Sequence, residues 1–166
     1  MVRRIRPAFC SLILAIVTLG CASDGIETSV AFDPLTQFPA QATYLWDASS
    51  NKMPADDRIA ALDLGPIIEA AAEAEFALRG YTLSTTDSAN YLMSYQVTSH
   101  SWIGADNSRA VGSLSVLLVE AGSGRRVWLG IGRSEVNVGQ SNEDSLARMR
   151  VALAKMLKEF PPNQPR

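Results

Sequence analysis

The chain has 166 residues, enough for one ordinary domain. Apolar residues make up 47% and charged ones 19%, a balance that suits a folded globular protein and excludes a disordered one. Net charge is −2; without Arg3, Arg4 and Arg6 the remainder holds 12 basic and 17 acidic residues, net −5, too acidic for a general nucleic-acid binder.

The N-terminus carries its own signal. Arg3, Arg4 and Arg6 form a basic head, and Ala8 to Leu19 follow without a charge. About a dozen helical residues reach roughly 18 Å. A bilayer core is roughly 30 Å thick, so this run is too short to span it. A basic head, a short apolar core and small residues after it describe a secretory signal peptide. Val2-Arg3-Arg4-Ile5-Arg6 matches a twin-arginine signal poorly, which favours the general secretory route.

Thr18-Leu19-Gly20-Cys21 resembles the bacterial lipobox, with cleavage between Gly20 and Cys21; Thr18 stands where leucine is usual. That resemblance implies lipidation of Cys21, and two or three acyl chains would hold the protein on a membrane, where one chain anchors only marginally. Cys10 would leave with the signal, so Cys21 would have no disulfide partner. Ala22 follows in place of the Asp that retains lipoproteins at the inner membrane, which favours the outer membrane. The alternative is ordinary cleavage after Ala22, giving a soluble periplasmic protein.

Thr28 to Phe32 reads as a short strand closed by Asp33-Pro34, and Gln41 to Trp46 as the next strand. Asp47 to Ala55 is polar and reads as loop. Residues 56–79 read as helix with a break at Gly65-Pro66, Pro66 falling in the first turn of the main helix. Ile67, Ala70, Ala71, Ala74 and Leu78 then share the inner face and Glu69 and Glu73 point away. Gly80 is positioned to cap this helix.

Tyr81 to Leu83 reads as a short strand. Asn90 to Trp102 alternates, with Tyr91, Met93, Tyr95 and Val97 on one side. Val111 to Glu120 follows with Leu114, Val116 and Leu118 on one face. Gly122-Ser123-Gly124 signals a hairpin, and Arg125 to Val138 returns with Val127, Leu129 and Ile131 on one side. Ser141 to Asp144 opens a last helix in capping-box style. Its apolar stripe is Leu146, Met149, Leu153, Met156, Leu157 and Phe160, and Pro161-Pro162 ends it. The expected fold is α+β, a two-layer sandwich of a mostly antiparallel sheet with two amphipathic helices on one face.

Several segments together resemble a family of bacterial envelope lipoproteins known as domain of unknown function family 4136. They are Phe32-Asp33-Pro34, Phe38, Thr43 to Trp46, Leu78 to Tyr81, Ala89 to Tyr95, Gly112 to Val116, Val127 to Gly130, and Phe160-Pro161. The resemblance covers roughly residues 26 to 162. The family usually has Asp where Asn90 and Glu120 stand. It implies the sandwich already read and a lipid anchor, and it supplies no catalytic residue. The expected organisation is a signal peptide over 1–20, a lipid-anchored tether over 21–26, a domain over 27–162 and a tail over 163–166. About six residues separate Cys21 from Thr28 and reach roughly 20 Å, so the domain would sit close to the bilayer.

Chemistry-bearing patterns are sparse. His100 is the one histidine; Asp106 is the nearest carboxylate, and no Cys or His motif accompanies it. A Ser-His-Asp triad would have to use His100, and no Gly-x-Ser-x-Gly elbow is present. Gly130-Ile131-Gly132 lacks a third glycine and a following helix and sits inside a predicted strand, where glycines mark a bulge or close packing. Asp56-Asp57 reads as a helix start, and Arg125-Arg126 as a charged hairpin end. No metal or cofactor is expected.

The three tryptophans fall on strands or their ends. If Trp128 lies opposite Val127, Leu129 and Ile131, it faces away from the helices and marks a binding surface. The competing expectation is that a strand or loop covers it, or that the alternation is reversed. Trp102, followed by Ile103-Gly104 in a loop, is the candidate partner contact. The expected function is a non-enzymatic outer-membrane lipoprotein facing the periplasm, held by lipid on Cys21, whose domain is structural or binds an envelope protein. The alternative is a carrier of a small apolar ligand or lipid between helices and sheet.

Overall fold

In a computed structural model, the strand signals assemble into one sheet in the order β1-β6-β5-β4-β2-β3. The structure describes residues 25–53, 63–103, 108–136, 141–158, 160 and 161. The strands are β1 (Ile26–Phe32), β2 (Ala42–Trp46), β3 (Tyr81–Leu83), β4 (Tyr91–Ile103), β5 (Ser108–Glu120) and β6 (Arg126–Val136). The helices are α1 (Leu64–Ala77) and α2 (Asn142–Leu157). The expected α+β sandwich is what the chain forms, with a mixed, mostly antiparallel sheet.

β4, β5 and β6 make the antiparallel meander, and β1 adds antiparallel to β6. β2 runs parallel to both β4 and β3, because α1 carries the chain back over the sheet between β2 and β3. Asn90 locks this parallel junction. Its Oδ1 accepts from the Thr43 N–H at 2.9 Å and from Thr43 Oγ1 at 3.2 Å, while its own N–H donates to the Thr43 carbonyl. An amide oxygen serves as acceptor where a carboxylate would.

The core lies between the helices and one sheet face. Tyr91, Met93, Tyr95 and Val97 of β4 and Leu114, Val116 and Leu118 of β5 point into it, as the alternation predicts. Rings from several elements interlock there. Phe160 packs edge-on against Phe76 at 4.9 Å, Tyr81 at 5.0 Å, Trp128 at 5.3 Å and Phe38 at 5.5 Å between centroids. Such pairs contribute about 0.5–1.5 kcal/mol each beyond area burial.

Two faces differ from the sequence expectation. On α1 the buried residues are Leu64, Ile68, Ala72 and Phe76, an i, i+4 stripe. Leu78 is 80% exposed, and Ala70 and Ala74 are also exposed. The helix is so rich in alanine that several phases of the pattern are nearly equivalent, and the bulk of Ile68 and Phe76 decides which one packs. The second difference lies on β6. The β5–β6 register shifts between Leu118 and Val119, so that Leu118 faces Trp128 and Val119 faces Arg126. Val127 is the extra residue of a bulge, which breaks strict alternation. Val127 and Trp128 are both buried at 1% exposure, and Leu129 and Ile131 are left half-buried on the other face.

Gly130 and Gly132 then lie beneath α2. A Cβ at Gly130 would run into the Trp128 ring and approach Met156 Cβ at 3.2 Å, and one at Gly132 would meet Ala152 Cβ at 3.0 Å. Glycine here permits close helix-on-sheet packing, as expected. Gly80, at φ +80°, turns the chain from α1 into β3, and a side chain there would collide with the Ala40 carbonyl.

Candidate functional site

The densest polar constellation joins α1 to β2 and β4. Once the α1 stripe is Leu64, Ile68, Ala72 and Phe76, Glu69 and Glu73 flank it, one turn apart, and lean over the sheet. Trp46 is the last residue of β2, and its Nε1 donates to Glu73 Oε1 at 3.0 Å. The indole also packs edge-on against Tyr44 at 6.1 Å and Tyr95 at 5.9 Å.

The segment after β2 completes this corner. Asp47 N–H donates to the Met93 carbonyl, and a turn over residues 48–50 returns the chain to β4. Ser49 and Ser50 hydroxyls donate to the Asp47 carboxylate and hold it below its ordinary range. Asn51 Oδ1 accepts the Tyr95 N–H at 3.0 Å, and Asn51 Nδ2 lies 3.5 Å from Glu69 Oε1, at the limit of a hydrogen bond. Lys52 forms a parallel bridge to Gln96.

Burial governs the electrostatics. Desolvation, then the neighbouring Glu73, raises the Glu69 carboxyl. Burial and, after it, Glu73 push the Tyr44 phenol up. Tyr95 is raised by burial first and then by Glu69 and Asp63. The corner thus holds two acid groups against aromatic edges, Glu73 anchored by an indole and Glu69 raised by burial. It is suited to accepting hydrogen bonds. Among the described residues no group of three or more His, Cys, Asp or Glu is placed to hold a metal ion.

The residues singled out from sequence scatter. Cys21 and Gly20 lie outside the described residues, as do Cys10, Asp56, Asp57, Gly104, Asp106 and Pro162. Trp102 belongs to β4 and pairs with Arg109, and Ile103 continues the strand; the Trp102 side chain lies outside what the structure describes, as does that of His100. Trp128 is no surface ring: the bulge turns it into the core, where its Nε1 has no hydrogen-bond partner among the described residues. Arg125 forms ion pairs with Asp33 at 2.9 Å and Glu120 at 3.5 Å, clamping the hairpin to the turn after β1. Sequence reasoning missed Glu69, Glu73 and Asn51. The available signal was the i, i+4 spacing of the two glutamates, read on the wrong side of the helix.

The segments that carry the family resemblance are largely the ones that build this scaffold: Phe38, Tyr44, Trp46, Tyr81, Tyr91, Tyr95, Trp128 and Phe160 all take part in the ring contacts. A family model described as "Domain of unknown function (DUF4136)" matches residues 28–162. No curated protein matches the chain by sequence. Among solved structures, the PelC dodecamer from Paraburkholderia phytofirmans is similar at TM-score 0.50 and 14% identity, over 80% of this chain and 96% of that one. A PDZ domain protein from Parabacteroides distasonis aligns at TM-score 0.53 and 13% identity, over 85% of this chain and 36% of its own. Lipoprotein GNA1162 from Neisseria meningitidis aligns at TM-score 0.48 and 14% identity, over 71% of this chain and 99% of its own. At these identities the likeness is one of fold. No helix among the described residues is long and apolar enough to cross a membrane.

Proposed function

This chain belongs to the DUF4136 family, and from that premise we propose that it is a lipoprotein of the Gram-negative outer membrane, acylated on Cys21, whose domain faces the periplasm as a non-enzymatic structural or protein-binding module. The observation that carries the reading is Gly20-Cys21 at the end of an apolar run too short to span a bilayer, with no other cysteine after it. Palmitate labelling of the wild type and not of Cys21→Ala is the expected result. An unlabelled wild type would sink the lipoprotein reading and leave ordinary cleavage after Ala22.

The interior supports a module over a carrier. The space between helices and sheet where an apolar ligand would sit is occupied by Phe76, Tyr81 and Trp128, each in ring contact with Phe160. Trp102 remains the proposed partner contact. Crosslinking in intact cells followed by mass spectrometry would identify the neighbour; Trp102→Ala should then weaken that crosslink while circular dichroism stays unchanged. An unaltered crosslink yield would remove Trp102 from the interface.

A further inference from the structure

The corner between α1, β2 and β4 offers hydrogen-bond acceptors that the described chain leaves unused. Gly65, Glu69 and Glu73 follow one another at i, i+4 along α1, so they share one side of the helix. Side chains at that spacing stand roughly 5–6 Å apart between Cβ atoms. Glu73 gives Oε1 to the Trp46 indole at 3.0 Å, and Glu69 Oε1 has only the 3.5 Å contact with Asn51. Oε2 of each glutamate accepts no hydrogen bond among the described residues. A carboxylate can accept about four. Neither group forms an ion pair with a described residue, whereas Glu75 of the same helix is held by Arg79 at 2.8 Å.

Two buried tyrosines reach the same corner. Tyr95 is 6% exposed and Tyr44 1%, and neither hydroxyl has a hydrogen-bond partner among the described residues. Trp128 Nε1 is the fully enclosed side-chain atom that lacks a partner there, so both tyrosine hydroxyls keep an opening to the outside. Gly65 sets the position of one of them. A Cβ at Gly65 would lie 2.8 Å from the Tyr95 oxygen, so the absent side chain lets that hydroxyl rest against α1 one turn before Glu69. The charges of Glu69 and Asp63 act on Tyr95, and that of Glu73 acts on Tyr44.

Charge and donor geometry select the occupant. Asp47, Asp63, Glu69 and Glu73 make the corner acidic, which excludes an anion. Over residues 42–53 and 63–77 the one base is Lys52, which is exposed and pairs with none of these acids. A guanidinium matches what is left open. It is always charged, presents a rigid planar fork of N–H donors that can bridge carboxylates, and stacks on aromatic rings. Trp46 supplies such a ring, with Tyr44 and Tyr95 packed against it at 6.1 Å and 5.9 Å. An ammonium has fewer donors and no plane to stack.

We propose that the Glu69–Glu73 corner is a recognition site for a guanidinium group, carried by an arginine side chain of a protein partner. The two glutamates accept its forked N–H groups, and the Tyr95 and Tyr44 hydroxyls accept those that remain. That the guanidinium arrives on a protein rests on the module reading above; the site itself does not.

The test uses the full chain purified from the membranes of its host, with fluorotryptophan in place of tryptophan. The Trp46 fluorine signal is assigned with Trp46→Phe. N-acetyl-arginine methylamide is titrated in, with the citrulline and lysine analogues as neutral and ammonium controls. The expected result is a saturable shift of the Trp46 signal with arginine, no shift with citrulline and a several-fold weaker response to lysine, all weakened by high salt. Glu69→Gln and Tyr95→Phe should each weaken arginine binding several-fold, and Glu75→Gln should not. These two variants carry the test if Glu73→Gln, which disturbs the indole bond, fails to fold. The source is read in intact cells with a photo-crosslinking amino acid at Lys52, where a protein adduct that is lost in Glu69→Gln is expected. No saturable shift, or one unchanged by Glu69→Gln and Tyr95→Phe, overturns the site and leaves the module reading to the Trp102 crosslink. Equal responses to lysine and arginine overturn the guanidinium assignment. Arginine binding without a protein adduct at Lys52 overturns the protein source and assigns the corner to a free guanidinium compound. Binding seen only in Arg58→Gln, a position outside the described residues, overturns the proposal by assigning the corner to the chain's own arginine.

Discussion

Trp46 donates its indole N–H to Glu73 at 3.0 Å, across the seam between β2 and α1. Both groups are only half exposed, so neither is fully compensated by water if the other is removed. This bond sets how far Glu73 can turn toward solvent.

Removing the acceptor should therefore be felt at the seam. Glu73→Ala is expected to lower stability by about 1–3 kcal/mol, the range for a hydrogen bond to a charged group, as measured by denaturant unfolding. Glu73→Gln keeps an acceptor and should lose less. Equal losses for the two would show that the indole bond contributes nothing.

Glu69 should make stability fall as pH rises. Its folded-state carboxyl is raised, first by desolvation and then by Glu73, so the native state holds the proton more tightly than the unfolded chain does. The advantage is fully present below the unfolded value of about 4.3 and is lost as pH rises through the folded value. Glu69→Gln removes the ionisation. The variant should melt higher than wild type at neutral pH, with the gap closing in acid. A gap that widens in acid would contradict the assignment.

The bulge on β6 is tested by two neighbours. Trp128→Ala should destabilise by about 3–5 kcal/mol, as expected for a large ring removed from a packed core. Leu129→Ala, on the half-buried face, should lose clearly less. The reverse order would restore the strict alternation in which Val127, Leu129 and Ile131 share the inner face.

At the β2–β4 junction only an acceptor is required of residue 90. Asn90→Asp should leave unfolding within about 0.5 kcal/mol of wild type, the usual range for a surface change that breaks no specific contact. Asn90→Ala leaves Thr43 N–H without its partner and should lower stability by about 1 kcal/mol. A large loss in the Asp variant would mean that the Asn90 amide N–H₂ matters.

By itself the amino-acid sequence determined the elements, because period-2 and capping signals are local. Tyr91, Met93, Tyr95 and Val97, and Leu114, Val116 and Leu118, are buried where alternation puts them. Ser141 caps α2 by accepting the Asp144 N–H at 3.1 Å, four residues that need nothing distant. The short apolar run ending at Gly20-Cys21 is likewise local, and it carries the proposed anchor.

Tertiary structure alone decided the faces. The phase of α1 was settled by which side chains fit beneath it, since alanines at 70, 71, 72 and 74 bury equally well on several sides. The phase of β6 was settled by one extra residue at Val127, whose effect depends on the register with β5. Those two choices placed Glu69 and Glu73 over the sheet and sent Trp128 into the core. Each depends on contacts between residues far apart in the chain, and pattern along the chain carries no record of them.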